Sequence, residues 1–377
     1  MPPSSFTLSF AGQAATDLSA SIVEIQIEEN VELPGAFSIK LPLNVTQSGE
    51  YDLVVDPRMA PLTNVTLVAT AADGQAQCLI DGYLLAQTVH LDTGTSSSTI
   101  EIWGQDASWL MNTTEQAKEW ADVTDSQVAA SIFGSYGITP DSANSDDDSP
   151  TYTSDTNTLM QRGTDAQFLR RLAKRTGKIF RVYCTDTPGQ RTGTFARPST
   201  SGDPATTLTL NDMNAATVNA LDIGWDVMRP TATIAMQELI ASPDSTGAGG
   251  TTSDSGIDPM EAQSLAQFAG TTVTSFLTAT VDSAQELTMR AQSVLTEAGW
   301  FVRCKGTADV GRLGSIIRAG TVARLTAAGS LHSGNYYVWS VRHKITSQQH
   351  TMDFVLVRNA MGASPGGGSS LPGGVSL

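Results

Sequence analysis

From Ser21 to Glu29 the chain sets Ile22/Val23, Ile25 and Ile27 against Glu24, Gln26 and Glu28, the period-two signature of a half-buried strand. Further strand-like runs follow at Ala36–Leu43, Val65–Thr70, Cys78–Leu91 and Thr99–Trp103, separated by Pro-Gly, Asp-Gly or Gly/Ser turns. Short strands joined by such turns predict a compact barrel or sandwich. The period then changes. Thr124-Asp125-Ser126-Gln127 has capping-box spacing and opens a helix presenting Val128, Ile132 and Phe133, stopped at Gly137. An acidic loop, Asp141 to Pro150, separates it from a second capping box, Thr164-Asp165-Ala166-Gln167. That box starts a helix with Phe168, Leu169 and Leu172 on its apolar face, ending at Gly177. Lys178–Cys184 reads as a strand and Thr187–Pro204 as a polar loop. Strands resume at Thr231–Ile240 and Val273–Val281, flanking a Gly/Ser/Asp-rich loop. Ser283-Ala284-Gln285-Glu286 caps a third helix whose face is Leu287, Ala291, Val294, Leu295 and Ala298, and strands return from Trp300 through Arg358.

An internal repeat organises these elements. Tyr83–His90 aligns without a gap on Tyr336–His343. Thr99-Ile-Glu-Ile-Trp103 and Thr351-Met-Asp-Phe-Val355 follow at almost the same distance, and Thr66–Gly74 upstream lines up with Thr321–Gly329. Each copy reads as strand, loop, strand, so two related β-domains are expected in one chain. The matched positions Tyr83, His90 and Thr99 against Tyr336, His343 and Thr351 are expected to play structural roles.

Charge narrows the function classes. The chain has 38 acidic against 22 basic residues, a formal charge of -16, which repels DNA phosphates and argues against sequence-specific nucleic-acid binding. No apolar run approaches the ~20 residues of a membrane-spanning helix, and the opening MPPSSFTLSFAGQAA lacks the basic and apolar regions of a secretory signal. Against this background the segment Arg162–Arg181 holds seven basic residues (Arg162, Arg170, Arg171, Lys174, Arg175, Lys178, Arg181) and one acid, Asp165. Two readings are open: a solvated face pairing with Asp146–Asp148, or a docking surface for an acidic neighbour.

Catalytic and metal signatures are sparse. There is no HExxH, GxSxG, Walker-type GxxxxGK[ST] or GxGxxG after a strand. Cys78, Cys184 and Cys304 are far apart, each in an apolar strand-like stretch, and are expected to be buried free thiols. His343 and His350 can face each other across a hairpin near His332, but no spacing enforces a metal site, and packing or hydrogen bonding is expected instead. Asp146–Asp148 lacks the ligand spacing and glycine of a calcium loop. Of the aromatic pairs Trp300/Phe301 and Tyr336/Tyr337, one member each is expected in the core, since neighbours on a strand point to opposite faces. No catalytic, metal or cofactor residue is therefore expected.

Three segments carry a resemblance: Gly82–Leu91 with Thr99-Ile-Glu-Ile-Trp-Gly-Gln-Asp106 and Leu110; Asp165-Ala-Gln-Phe-Leu-Arg-Arg-Leu172 with Gly177 and Phe180; and Ser333–His343 with His350–Phe354 and Arg358-Asn359. In this order they resemble the baseplate hub family that includes phage late control gene D proteins and the N-terminal part of type VI secretion spike proteins. The resemblance implies an α+β, β-rich fold of two related tube-like β-barrel domains with an inserted small α/β domain. The expected division is 1–110 for the first barrel, with strands in 206–230 as candidates to complete it, and 111–205 for the insert. The second barrel would be 206–361 with one helix at 283–298, and 362–377 a flexible Gly-rich tail. It further implies a homotrimer in a phage-tail or injection-particle baseplate, made in a bacterial cytoplasm. That trimer would join a sixfold inner tube protein to a separate threefold spike protein, among other baseplate proteins. Two other classes remain as alternatives: a carbohydrate-binding or adhesin-like β-protein, suggested by scattered aromatics and Asn-x-Thr at Asn44, Asn64 and Asn112, and a cell-wall hydrolase using Asp106 or Asp165.

Overall fold

The computed structural model describes residues 5–93, 98–145, 149–155, 158–212, 215–237, 248–279, 281 and 284–362. Asp146–Asp148, the Ser283 cap and the tail beyond Gly362 lie outside the described residues.

Twelve strands carry the duplication. In the first half they are β1 (Ser5–Phe10), β2 (Glu24–Asn30), β3 (Ala36–Pro42), β4 (Asn64–Thr70), β5 (Ala76–His90) and β6 (Thr99–Asp106). In the second they are β7 (Thr206–Thr209), β8 (Val218–Trp225), β9 (Val302–Asp309), β10 (Val322–Thr326), β11 (Gly334–Ile345) and β12 (His350–Arg358). The first set pairs in the order β2-β3-β6-β5-β4-β1, the second in the order β8-β9-β12-β11-β10-β7. Strand for strand, the two orders are the same. They differ in that β1 runs antiparallel to β4 while β7 runs parallel to β10.

The halves are not two closed barrels. They join edge to edge, β11 pairing antiparallel with β2 from Ser340↔Asn30 to Ile345↔Ile25, and with the short strand Gln13–Ala14 beside β1 they merge into a single 13-stranded sheet. Among the described residues no barrel closes. The strands in 206–230 do not complete the first half either: β7 pairs β10 and β8 pairs β9, both in the second half. One hydrophobic core runs through both halves, from Ile25, Phe37 and Ile102 to Val341, Phe354 and Leu356.

Strand register corrects the residue-level repeat. With Thr99 equivalent to Thr351, the partners across the hairpins are His90 and Lys344 respectively. Both long strands carry a bulge, in β5 after Leu84 and in β11 after Val338. The pairing therefore makes Tyr83 equivalent to Tyr337, Leu85 to Trp339 and Val89 to His343, one place away from the gapless alignment. A one-residue slip exchanges the faces of a strand. That is why His90 is 69% exposed while His343 is fully buried.

Two insertions depart from the duplicated plan. Between the halves, a small α/β unit holds the helices Asp125–Ser135 and Asp165–Arg175, each opened by a complete capping box from Thr124 and Thr164. Its core includes Val128, Phe133, Phe168, Leu169, Leu172 and Phe195. The expected polar loop 187–204 contains a strand, Arg191–Ala196, antiparallel to Ile179–Cys184. Its alternation is carried by Gly193 and Phe195, and a Cβ at Gly193 would lie 2.6 Å from the Phe133 ring. A position that must be glycine contributes no apolar signal, which concealed the period of two. Between β8 and β9, the strands Ala232–Gln237, Ala248–Thr252 and Thr274–Leu277 form a small sheet, so the Gly/Ser/Asp-rich stretch expected as a loop also holds a strand. Helix Ala284–Gly299 packs Leu287 and Ala291 against Ala235 and Val281.

Candidate interaction surfaces

The β2–β11 junction is held by a buried carboxylate. Glu29 continues the inward phase of Ile25 and Ile27, so an acid stands on the apolar face of β2. Its oxygens accept from Arg318 Nε at 2.6 Å, from the Ala319 amide at 3.1 Å and from Arg181 Nη2 at 3.4 Å. His343 Nε2 lies 3.9 Å away. Arg318 also donates to the carbonyls of Cys78 and Cys184, at 3.0 and 3.1 Å. One carboxylate thus ties β2, the loop before β10 and the inserted unit together. A buried charge persists at such low exposure only because it is paired and hydrogen-bonded. Sequence reading overlooked Glu29, although its place two residues after Ile27 was the signal.

The basic segment is divided between inside and outside. Arg162, Arg171 and Lys174 are exposed. Arg175 instead donates to Asp125 at 3.0 Å and to the Tyr152 hydroxyl, and Arg181 reaches Glu29. Lys178 is buried with its Nζ 3.3 Å from Ser126 Oγ and 5.5 Å from the Phe195 ring centre. Arg170 lies over Phe180 at 5.6 Å, and burial lowers its pKa, partly offset by Asp106. A seven-residue docking surface is therefore not formed. Four of the seven side chains are used within the fold, where Asp125 and Glu29 pair with Arg175 and Arg181 and Asp106 offsets Arg170.

Between the helix Asp165–Arg175 and the second half lies a cleft of about 420 Å³ whose walls include Arg170, Lys174, Arg303, Glu32, Trp300 and Trp339. Burial, followed by the nearby Glu297, raises the Glu32 pKa above its ordinary value. Trp300 stacks on Tyr337 at 5.6 Å and meets Trp339 edge-on at 6.1 Å. Both aromatic pairs depart from expectation: Trp300, Phe301, Tyr336 and Tyr337 are all buried. Opposite faces of the strand are both covered, with Tyr336 in the main core and Tyr337 beside Trp300 in a second one.

The remaining candidates are engaged in local contacts. His343 Nδ1 and His350 Nε2 lie 3.1 Å apart in the core, and burial lowers both pKa values to about 3. Nearby charges contribute next, Arg318 lowering His343 and His343 lowering His350. Among the described residues, no group of three or more His, Cys, Asp or Glu is placed to hold a metal. The three thiols are buried and free, but Cys78 and Cys184 are not apart as their spacing suggested: their sulfurs lie 2.6 Å from each other. Asp106 accepts from the Gly35 and Ser108 amides, and Asp165 accepts from Gln161 at 2.5 Å and the Tyr136 hydroxyl at 2.7 Å. Asn64 donates to Asp81 at 2.8 Å, and Asn112 accepts from Thr164 at 2.7 Å.

The family model described as the Alg8 N-terminal domain matches residues 3–347. The chain belongs to that family. No curated protein matches this member of the Alg8 N-terminal domain family. Its fold is shared with solved tail proteins. The 43 kDa tail protein of prophage MuSo2 from Shewanella oneidensis is 17% identical at a TM-score of 0.67, over 95% of this chain and 99% of that one. A tail protein of Neisseria meningitidis MC58 is 12% identical at a TM-score of 0.65, over 95% and 97%. The c3393 protein of E. coli, a component of the type VI secretion system, is 13% identical at 0.57, over 95% and 79%, and is described as structurally similar to the T4 phage tail proteins gp27 and gp5. At such identities the likeness establishes the β-rich fold. No described helix is long and apolar enough to cross a membrane.

Proposed function

We propose that this chain is the structural hub of a contractile phage tail or injection-system baseplate, a homotrimer joining a sixfold inner tube protein to a threefold spike protein. The observation that carries this reading is the duplicated strand order, β2-β3-β6-β5-β4-β1 and β8-β9-β12-β11-β10-β7. Three chains with two equivalent units each offer six similar units to a sixfold tube, while the differences between halves leave a threefold arrangement for a spike. The fold shared with phage tail proteins and a type VI component supports the same role. The role is structural rather than catalytic, in keeping with Asp106 and Asp165 serving as local acceptors. Particle location and other baseplate partners follow from the same reading.

Native mass of the chain, alone and mixed with tube and spike proteins, tests it. A species at three times 39.7 kDa (119.1 kDa) that captures a spike trimer is expected. A 39.7 kDa species indifferent to both partners contradicts it.

A further inference from the structure

We propose that the outer edge of β8 in one copy pairs antiparallel with the far end of β5 in a neighbouring copy, reproducing between chains the junction that β2 and β11 make within one. The number of copies rests on the hub reading; the contact itself rests on the duplicated topology.

Each half offers the same two edges. In the second half, β11 pairs with β10 through Gly334–Tyr337 and then runs on, its residues Ser340–Ile345 pairing with β2. In the first half, β5 pairs with β4 through Ala76–Tyr83 and also runs on, as Ala86–His90. Among the described residues no strand pairs with that stretch on the side away from β6, and none pairs with β8 on the side away from β9. β8 is the counterpart of β2, which is the strand β11 takes. Open, unpaired edges of this kind are templates for another chain.

Register turns the correspondence into residue contacts. The β2–β3 and β8–β9 pairings make Ile25 equivalent to Leu221, Ile27 to Ile223 and Glu29 to Trp225. The β5 and β11 registers make Gln87 equivalent to Val341, Val89 to His343 and Leu91 to Ile345. Transferring the observed partners His343↔Ile27 and Ile345↔Ile25 places Val89 opposite Ile223 and Leu91 opposite Leu221 of the neighbour. His90 then falls opposite Asp222. Backbone pairing alone sets apolar beside apolar at Val89 and Leu91, with Gln87 opposite Trp225 on the same face, and a basic beside an acidic side chain on the other. It also covers two large side chains that stand in solvent, Leu91 at 53% and Trp225 at 52% exposure. The contact is heterologous, so a fixed rotation closes it into a ring in which intrachain and interchain junctions alternate.

Cysteine cross-linking reads the register. The full-length chain with His90→Cys and Asp222→Cys, both exposed, is oxidised with copper–phenanthroline and run without reductant, beside the wild type with its buried thiols. Covalent species ending at the trimer are expected. Each single variant alone forms none, and the two mixed form a linked dimer. A Thr88→Cys, Asp222→Cys control, two residues out of register, links several-fold less. A native trimer with no such link, or with equal linking in the control, overturns the pairing and leaves the hub reading standing. Linked species continuing past three copies uphold the pairing and overturn the trimer. A chain that stays at 39.7 kDa beside tube and spike proteins, without links, overturns both.

Discussion

The two halves share one strand order but treat equivalent positions differently. At the junction made within the chain, Glu29 is buried beneath Arg318 and Arg181, and His343 packs beside it. At the equivalent places in the other half stand Trp225 and Val89, an exposed indole and a partly buried aliphatic. A contact that is always made can hold a desolvated carboxylate, because both arginines arrive with the same chain. An edge that waits for a partner cannot leave a buried charge without its counter-charges, and apolar side chains suit it better. On the proposed pairing, topology is duplicated while chemistry is fitted to whether the partner is permanently attached.

The largest break in this comparison is expected from Glu29→Ala. It leaves two arginines without their carboxylate and should cost about 3–5 kcal/mol of unfolding free energy in urea titration. Trp225→Ala, at the equivalent place, removes a half-exposed ring that meets Phe268 edge-on at 5.4 Å and should cost the isolated chain about 0.5–1.5 kcal/mol. Equal losses at the two positions would show that the junctions do not differ as described.

Next in size is the pH dependence. Both core histidines have folded pKa values near 3 against an ordinary 6.5, so the unfolded chain binds more protons between those limits. Their contribution is complete above pH 6.5 and is lost as pH falls toward 3, by up to ~1.4 kcal/mol per pH unit for each histidine. Thermal unfolding of His343→Val, which installs the residue of the first half, should show a shallower decline between pH 6.5 and 5 than the wild type. An unchanged slope would remove His343 as its source.

The basic segment offers a contrast of the same kind. Arg175→Ala strips the counter-charge from Asp125, whose side chain is fully buried, and should cost about 2–3 kcal/mol. Lys174→Ala removes an exposed 3.8 Å pair with Glu297 and should stay within about 0.5 kcal/mol. Paired urea titrations decide whether burial separates the two.

The smallest effect expected in the isolated chain belongs to Leu91→Ser, on an exposed edge. It should leave stability within about 0.5 kcal/mol yet lower self-association measured by analytical ultracentrifugation. Self-association equal to that of the wild type would detach Leu91 from the interface.

Local order was legible wherever it depended on neighbours in sequence. The capping boxes at Thr124 and Thr164, the alternation Ile25–Ile27 and the helix face Leu287–Ala298 all appear where spacing placed them. The existence of a repeat was legible too, but its register was not. Loop lengths and the bulges at Leu85 and Trp339 decide which residues oppose each other, and a gapless alignment carries neither. Partner choice was hidden for the same reason: nothing local to Val218–Trp225 says that it joins β9 rather than the first half. The charge cluster misled because seven cations close in sequence are spread over two strands, the helix between them and the turn after it, so a local net charge says nothing about which ones reach solvent.

Backbone hydrogen exchange across a concentration series tests most directly whether equivalent junctions are closed within one chain and open in the other half. The amides of 25–30 and 340–345 should be protected at every concentration; in 86–90 and 218–225 the amides turned toward β6 and β9 should be protected throughout as well, while the alternate amides on the open edge should gain protection only as copies associate. Free exchange of those open-edge amides in a fully associated sample would contradict the proposed equivalence.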